Sequence, residues 1–407
     1  MAQPYSRNQR LVMVALAVTV FLWSWVFLDH SFYVHQHSTD VVYYQGYVTK
    51  IRAGQVPYRD FAVDYPPGAL AVFLAPTLVV DPANLGSYEK WFARLMCALG
   101  LICLLLVVQA RPPLWGVALV AVSPLLIGRL APERFDLWPT ALTIASIVAF
   151  LHDRHRLGWA AVAAAFAAKL YPLALIPLCA IWTYRRRGSA ELMRGVAIAA
   201  AVVLLAFGPF VVLAPHGLWS SIWGQASRPI QIESLVASYL MTFHHPQVMN
   251  TYNTEGIPNH DTIRTISFLA QLGILVWIWV VFARGEASRE RFVRFAAACV
   301  CAFVAFGTVF SPQYLIWLVP LVALVRGVRG MIATVTLVAA FVCTEIWYGS
   351  QRFWDYVASG DWGWLVLTRN LIVVALIAVL ALPARRRPGT WSSVEDSADA
   401  AVLSRAS

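Results

Sequence analysis

Apolar stretches of roughly membrane-spanning length recur along nearly the whole chain, and a helix needs about 20 such residues to cross the hydrocarbon core of a bilayer. They lie near residues 11–29, 88–108, 114–129, 136–151, 192–213, 263–283, 293–308, 314–326, 331–346 and 366–383, which makes ten candidate spans. Hydrocarbon offers no partner to an exposed backbone amide, so the spans are expected to be helices; the runs lack the period-two alternation of a membrane barrel. Composition agrees. Hydrophobic residues make up 59% of the 407 and charged residues 13%, against about 25% charged in soluble domains. One aqueous core cannot bury that much apolar surface, and the expected fold class is an all-α, polytopic membrane protein.

Orientation follows from arginine. With the N-terminus inside, Arg111, the Arg154–Arg156 turn, Arg284–Arg294, Arg326–Arg329 and the Arg385–Arg387 tail all fall in the cytoplasm, as the positive-inside rule requires. Both termini are then cytoplasmic. The formal charge of +10 is spread over these turns, which suits anionic lipid headgroups; no basic stripe with interleaved aromatics suggests nucleic acid. The first segment follows Arg7 and Arg10 but ends in bulky Trp23, Trp25 and Phe27, with no small-residue cleavage site, so it reads as a retained anchor. Residues 1–387 read as one membrane domain, and 388–407, rich in Ser, Ala, Asp and Glu, as a disordered tail.

One stretch breaks the count. Residues 159–182 look like a full span, yet crossing there would carry Arg185–Arg187 outside. Lys169-Leu170-Tyr171-Pro172 interrupts it, and proline breaks the helical ladder and disfavours helix in the residue before it. Two short helices that enter the membrane and return to the same side are therefore expected, giving 10–12 membrane helices in all. Irregular backbone at that depth must face protein or water.

All six cysteines, Cys97, Cys103, Cys179, Cys299, Cys301 and Cys343, fall in apolar segments, so neither disulfides nor a zinc site are expected. The sequence has no Walker loop, dinucleotide fingerprint or Cys-x-x-Cys, and no cofactor or metal is expected. His35 and His37 near Asp40 invite a metal, but alternate residues on a loop are a poor ligand set, and the side chains of adjacent His244 and His245 diverge.

Polar residues concentrate in three outer segments, 30–87, 214–262 and 347–365. The first contains Asp40 followed by Tyr43 and Tyr44, then Gly54-Gln55-Val56-Pro57-Tyr58-Arg59-Asp60-Phe61, then Asp64-Tyr65-Pro66-Pro67. A short apolar piece at 68–80 suits a helix at the outer interface or dipping in from it. Further along come Arg134-Phe135-Asp136-Leu137-Trp138-Pro139, the Lys169–Pro172 break, Gln231-Ile232-Glu233-Ser234 and Ser311-Pro312-Gln313-Tyr314-Leu315-Ile316-Trp317. In this order, over roughly residues 11–330, the chain resembles glycosyltransferase family 87, enzymes of the GT-C fold that use polyprenyl-phosphate sugars. Its most similar members extend phosphatidylinositol mannosides and related lipoglycans in actinobacteria, and the Ala-, Val- and Arg-rich composition suits a GC-rich bacterium.

The resemblance implies inverting transfer of a hexose, mannose first, from polyprenyl phosphate to a glycolipid or lipid-linked glycan at the outer face of the plasma membrane. The acceptor hydroxyl then needs a carboxylate within hydrogen-bond reach. Asp40 matches the family's acidic position, and Asp64 is the rival; Asp40 can also simply cap the helix expected from Val41, and Asp64 can fix the turn before Tyr65-Pro66-Pro67. Asp60 is expected to hold its own loop. The lipid-phosphate leaving group needs cations in a dry site, and Arg134, Lys169 and Arg228 are candidates. Lys169 can instead snorkel to headgroups, and Arg134 can pair with Asp136 or Glu133. Tyr43, Tyr44, Tyr171, Gln313 and Tyr314 are candidates for holding sugar or acceptor. Trp219 with Trp223, and Trp362 with Trp364, fit an interfacial belt or sugar stacking.

Two other functions share these features. A transporter or flippase of lipid-linked sugar would need the cavity and cations but no base, and such proteins often carry internal repeats, which this sequence lacks. A transferase of the same fold for arabinofuranose or glucose differs only in the donor sugar.

Overall fold

The computed structural model describes residues 7–30, 33, 39–251, 254–348 and 350–382. The tail at 388–407 and the histidines His35 and His37 lie outside the described residues. Six described helices are long and apolar enough to cross a bilayer: Asn8–Phe27, Leu85–Gln109, Tyr171–Leu213, Asp261–Arg284, Gly327–Trp347 and Gly363–Ala381. The other four expected spans are shorter helices, Leu114–Ile127, Leu137–Leu151, Arg289–Ala305 and Pro312–Ala323. Turn chemistry sets their ends. Leu114–Ile127 starts after Pro113 and stops at Gly128, whose φ of 61° a side chain would resist. Arg289–Ala305 starts at Ser288, whose hydroxyl accepts from the Arg291 amide at 3.3 Å. This last helix is the centre of the bundle, with Phe295 through Ala302 buried.

The break at Lys169–Pro172 divides the chain as the sequence predicts. Helix His155–Ala168 ends where Lys169 turns extended, at φ −159° and ψ 148°. Pro172 sits in the first turn of the 3-10 helix Tyr171–Leu175, where its missing amide costs nothing. The chain then runs back beside the incoming helix. Trp159 donates through Nε1 to Thr183 Oγ1 at 3.2 Å, His155 shares a hydrogen bond of 3.2 Å with the same hydroxyl, and Arg156 pairs with Glu191 at 3.0 Å. Asp153 is met by Arg186, Arg187 and Arg289 at 3.4, 3.7 and 2.8 Å. Residues 153–156 and 183–191 therefore share one end of the hairpin and Lys169 stands at the other. Gly188, at φ 81°, then kinks the Ile176–Leu213 helix before its second limb.

The described residues of segments 214–262 and 347–365 fold together into a small cap. Its three strands, Ile230–Gln231, Met249–Thr251 and Thr254–Ile257, pair antiparallel with the last in the middle. Ile230, Ile232, Met241, Trp347, Tyr356 and Val366 form its own apolar core, and the Tyr356 hydroxyl ties it off at the Ile232 carbonyl, 2.7 Å away. The piece at 68–80 is helical from Pro67 to Leu78. Leu70, Val72 and Phe73 are buried, so it is packed into the bundle, with Ala71 and its end at Leu78 and Val79 exposed.

Candidate active site

Arg134, Phe135 and Asp136 leave the short helix Leu130–Glu133 and lead into Leu137–Leu151. Asp136 stands at the N-cap position without capping through its side chain. Its Oδ1 instead accepts from Lys169 Nζ at 2.6 Å and from Trp317 Nε1 at 2.8 Å. Three rings enclose the ammonium group, those of Phe135, Tyr314 and Trp317, at 4.6, 5.0 and 5.1 Å. Such cation–π contacts strengthen as water is excluded. Lys169 thus does not snorkel to the headgroups; the hairpin tip delivers it to a carboxylate that is 1% exposed.

Asp40 precedes the helix Val41–Arg52 but makes no side-chain cap. Thr39 Oγ1 accepts the Val41 amide at 3.1 Å instead. The Asp40 carboxylate pairs with Arg134 and accepts from the hydroxyls of Tyr65 at 3.3 Å and Tyr44 at 3.5 Å. Burial holds both phenols above their ordinary range, so they stay protonated as donors. Asp40 keeps 21% of its side chain exposed, which leaves it reachable. Of its acidic sequence neighbours, Glu133 takes Arg129 at 2.8 Å and Asp136 takes Lys169.

Asp64 accepts from the Tyr47 hydroxyl at 3.0 Å, a phenol kept protonated by burial and then by Asp64 itself. The chain around it is held from several sides. Ser221 Oγ donates to the Val63 carbonyl at 2.6 Å, Gln225 Nε2 to the Asp64 carbonyl at 2.5 Å, and the Tyr58 hydroxyl to the Tyr65 carbonyl at 2.6 Å. Gly68 then lies against the backbone of Ala167 and Ala168; a Cβ there would stand 2.6 Å from the Ala167 carbonyl carbon. That close approach seats the Asp64–Pro67 loop on the hairpin tip beside Lys169. Asp60 is occupied locally by Arg59 at 2.9 Å and the Val56 amide at 2.7 Å.

The remaining candidates divide. Tyr44 is fully buried in an aromatic stack, its ring 4.2 Å from Phe73, whereas Tyr43, one residue earlier on the helix, turns outward and is 44% exposed. Tyr171 does not face an open site: its hydroxyl is shared with Thr143 at 2.7 Å and donated to the Pro139 carbonyl at 3.1 Å. It stacks on Trp317 at 4.0 Å and supports that ring from behind. Tyr314 covers another part of Trp317 at 4.2 Å. Gln313 is buried and accepts from Ser311. Arg228 brings its charge to the same place and acts on Tyr47, Lys169 and Tyr314.

The sequence marks Asp136 only as a partner for Arg134 and does not single out Tyr65, Trp317 or Glu233. Asp136 and Trp317 stood in the quoted motifs, but nothing in one dimension pairs residue 136 with 169 and 317. Glu233, in the cap loop, is 4% exposed. Burial, opposed by Arg369, pushes its carboxyl up to about 7.

Fold and site together define a polytopic helical membrane protein in which two carboxylates, Asp40 and Asp136, each matched to a cation, sit where the Asp64–Pro67 loop meets a broken hairpin. The chain belongs to glycosyltransferase family 87, whose family model matches residues 63–312, and it is a glycosyltransferase. No curated protein matches it. Among solved structures, that of ArnT from Cupriavidus metallidurans bound to undecaprenyl phosphate is similar at 13% identity and a TM-score of 0.48, over 93% of this chain and 77% of that one.

Proposed function

We propose that this enzyme transfers a hexose, mannose first, from polyprenyl phosphate to the hydroxyl of a glycolipid or lipid-linked glycan at the outer face of the plasma membrane. The observation that carries this is the pair of carboxylate–cation contacts, Asp40 with Arg134 and Asp136 with Lys169, each taking one member from the three-residue stretch Arg134–Asp136. Inverting transfer needs a base on the acceptor side and positive charge on the leaving-group side. Asp40, reachable and hydrogen-bonded by two phenols, is the base. Lys169 and Arg228 receive the phosphate.

The charge flow is consistent with that division. As the acceptor oxygen bonds to the anomeric carbon, its proton passes to Asp40. The C–O bond to phosphate breaks and its electron pair stays with polyprenyl phosphate, which becomes more negative beside the cations. Asp64, held by Tyr47 and the loop contacts, positions the acceptor side.

A small apolar pocket lies next to this place, lined among others by Phe21, Trp25, Leu137, Thr140 and Ile316. Thr140 donates to the Asp136 carbonyl at 2.7 Å, so the pocket shares the helix that follows Asp136. An isoprenoid chain suits such a lining, and a donor carried on lipid can arrive sideways where a nucleotide sugar cannot. The test is transfer of radiolabel from undecaprenyl-phosphate-mannose to a bacterial membrane lipid extract by purified protein. Labelled glycolipid from the wild type, and about a hundredth of it or less from Asp40→Asn, is expected; no product from mannose, glucose or arabinofuranose donors would overturn the reading.

A further inference from the structure

Arg369 lies in the second turn of the last span, Gly363–Ala381, with no solvent exposure. An ionised group inside a span is expensive to bury, so its contacts carry information about function. Its Nη2 donates to the Glu233 carbonyl at 2.6 Å. Asn370, also fully buried, donates through Nδ2 to that same carbonyl at 3.1 Å and to Ser238 Oγ at 2.9 Å. The guanidinium plane rests over Phe310, 3.9 Å from the ring centre.

These contacts join three separate parts of the chain. One is the last span itself. The second is the cap loop Gln231–Ser234. The third is the segment from Thr308 to Tyr314, which supplies the Tyr314 ring against Lys169 and Trp317. The two loops are tied directly as well, since the Gln231 amide donates to the Thr308 carbonyl at 3.0 Å. Phe310 stands between that bond and the Ser311–Gln313 contact. Arg369 is placed to hold the wall that carries Gln313 and Tyr314 at a fixed distance from the Asp136–Lys169 pair.

We propose that Arg369 is a positioning residue for the donor sugar: it clamps the Glu233 loop and Phe310 so that the Gln313–Tyr314 wall stays formed over Lys169. The proposal rests on the transferase reading above. A planar guanidinium can donate to a carbonyl and lie flat on a ring at once, which a lysine ammonium cannot do. The polyprenyl phosphate itself is held by other groups, Lys169 and Arg228, so the clamp acts on the sugar and leaves the lipid phosphate alone.

Binding of undecaprenyl phosphate, with and without mannose, separates these possibilities, measured on wild type, Arg369→Lys and Phe310→Leu in nanodiscs together with the donor KM. Each variant is expected to weaken the mannose-bearing donor about tenfold and leave the sugar-free lipid unchanged. In the double variant the loss should be no larger than in either single one, because one contact is removed by both changes. Equal loss for both ligands, no loss for either, or additive losses would overturn the clamp. Phe310→Leu keeps the arginine and tests the same contact if Arg369→Lys does not fold. A wild type that binds neither lipid would instead overturn the transferase reading.

Discussion

The Asp40 carboxylate is paired with the guanidinium of Arg134, a residue 94 positions away, and not with the helix it precedes. The pairing places a candidate base beside a cation that a phosphate also attracts, with Tyr44 and Tyr65 completing the carboxylate's hydrogen bonds. Asp40→Asn keeps the shape and two of those contacts but cannot take a proton. Turnover should fall by about 10²–10⁴-fold, the usual worth of a positioned general base, while donor affinity changes little. Single-turnover kinetics with labelled donor checks this.

Lys169 and Asp136 form the most enclosed ion pair of the site. Removing one partner leaves a buried charge uncompensated, which costs about 3–5 kcal/mol. Lys169→Ala should therefore lower the unfolding temperature in detergent as well as abolish transfer. The double variant Asp136→Asn with Lys169→Met should recover most of the lost thermal stability and none of the activity. Recovery of transfer by the double variant would remove Lys169 from the mechanism.

Gly68 has no room for a side chain between the Asp64–Pro67 loop and the hairpin tip. Its neighbour there is backbone, which cannot rotate away. Gly68→Ala should cost roughly 1–3 kcal/mol by overpacking and should lower transfer more than the loss of folded protein accounts for. Activity normalised to folded protein by fluorescence size exclusion measures the difference.

Glu233 gives stability a pH dependence of definite sign. Burial raises its carboxyl from 4.5 to about 7 in the folded chain, so the folded state holds this proton more tightly than the unfolded state does. Its contribution falls as pH rises from about 4.5 to 7 and is level above that. The full span is on the order of 3 kcal/mol. Glu233→Gln should flatten that part of the profile and raise the unfolding temperature at pH 8 relative to wild type. A wild-type curve as flat as that of the variant would show that Glu233 is not buried as described.

The hairpin has a topological consequence. Arg156 and Arg187 share one end of it, joined through Glu191 and Asp153, while the Pro215–Ala226 helix follows the next limb. In sealed inverted vesicles, single cysteines at 156 and 187 should react with a membrane-impermeant maleimide, and one at 219 should not. Labelling of 156 and 187 from opposite sides would mean a true span.

Much of this protein was determined by the sequence alone, and the reason is local. Hydrophobic length sets which segments can enter lipid, and Pro172 in Lys169-Leu170-Tyr171-Pro172 disfavours a continuous helix there, so Lys169 is marked out by its own neighbours. Asp40 and Asp64 were likewise recognisable from the motifs around them. Pairing was not, because it depends on which helices lie side by side. Arg134 has two acidic sequence neighbours, yet the carboxylate it meets is Asp40, brought by the packing of Val41–Arg52 against the bundle. Tyr171 and Tyr43 carried the same kind of signal as Tyr44, yet one hydroxyl was spent on Thr143 and Pro139 and the other side chain turned outward. Arg369 sat unremarked in an apolar run, because the carbonyl and the ring that balance its burial come from residues 233 and 310. A charge in a span is tolerated only with such partners, and only the tertiary structure supplies them.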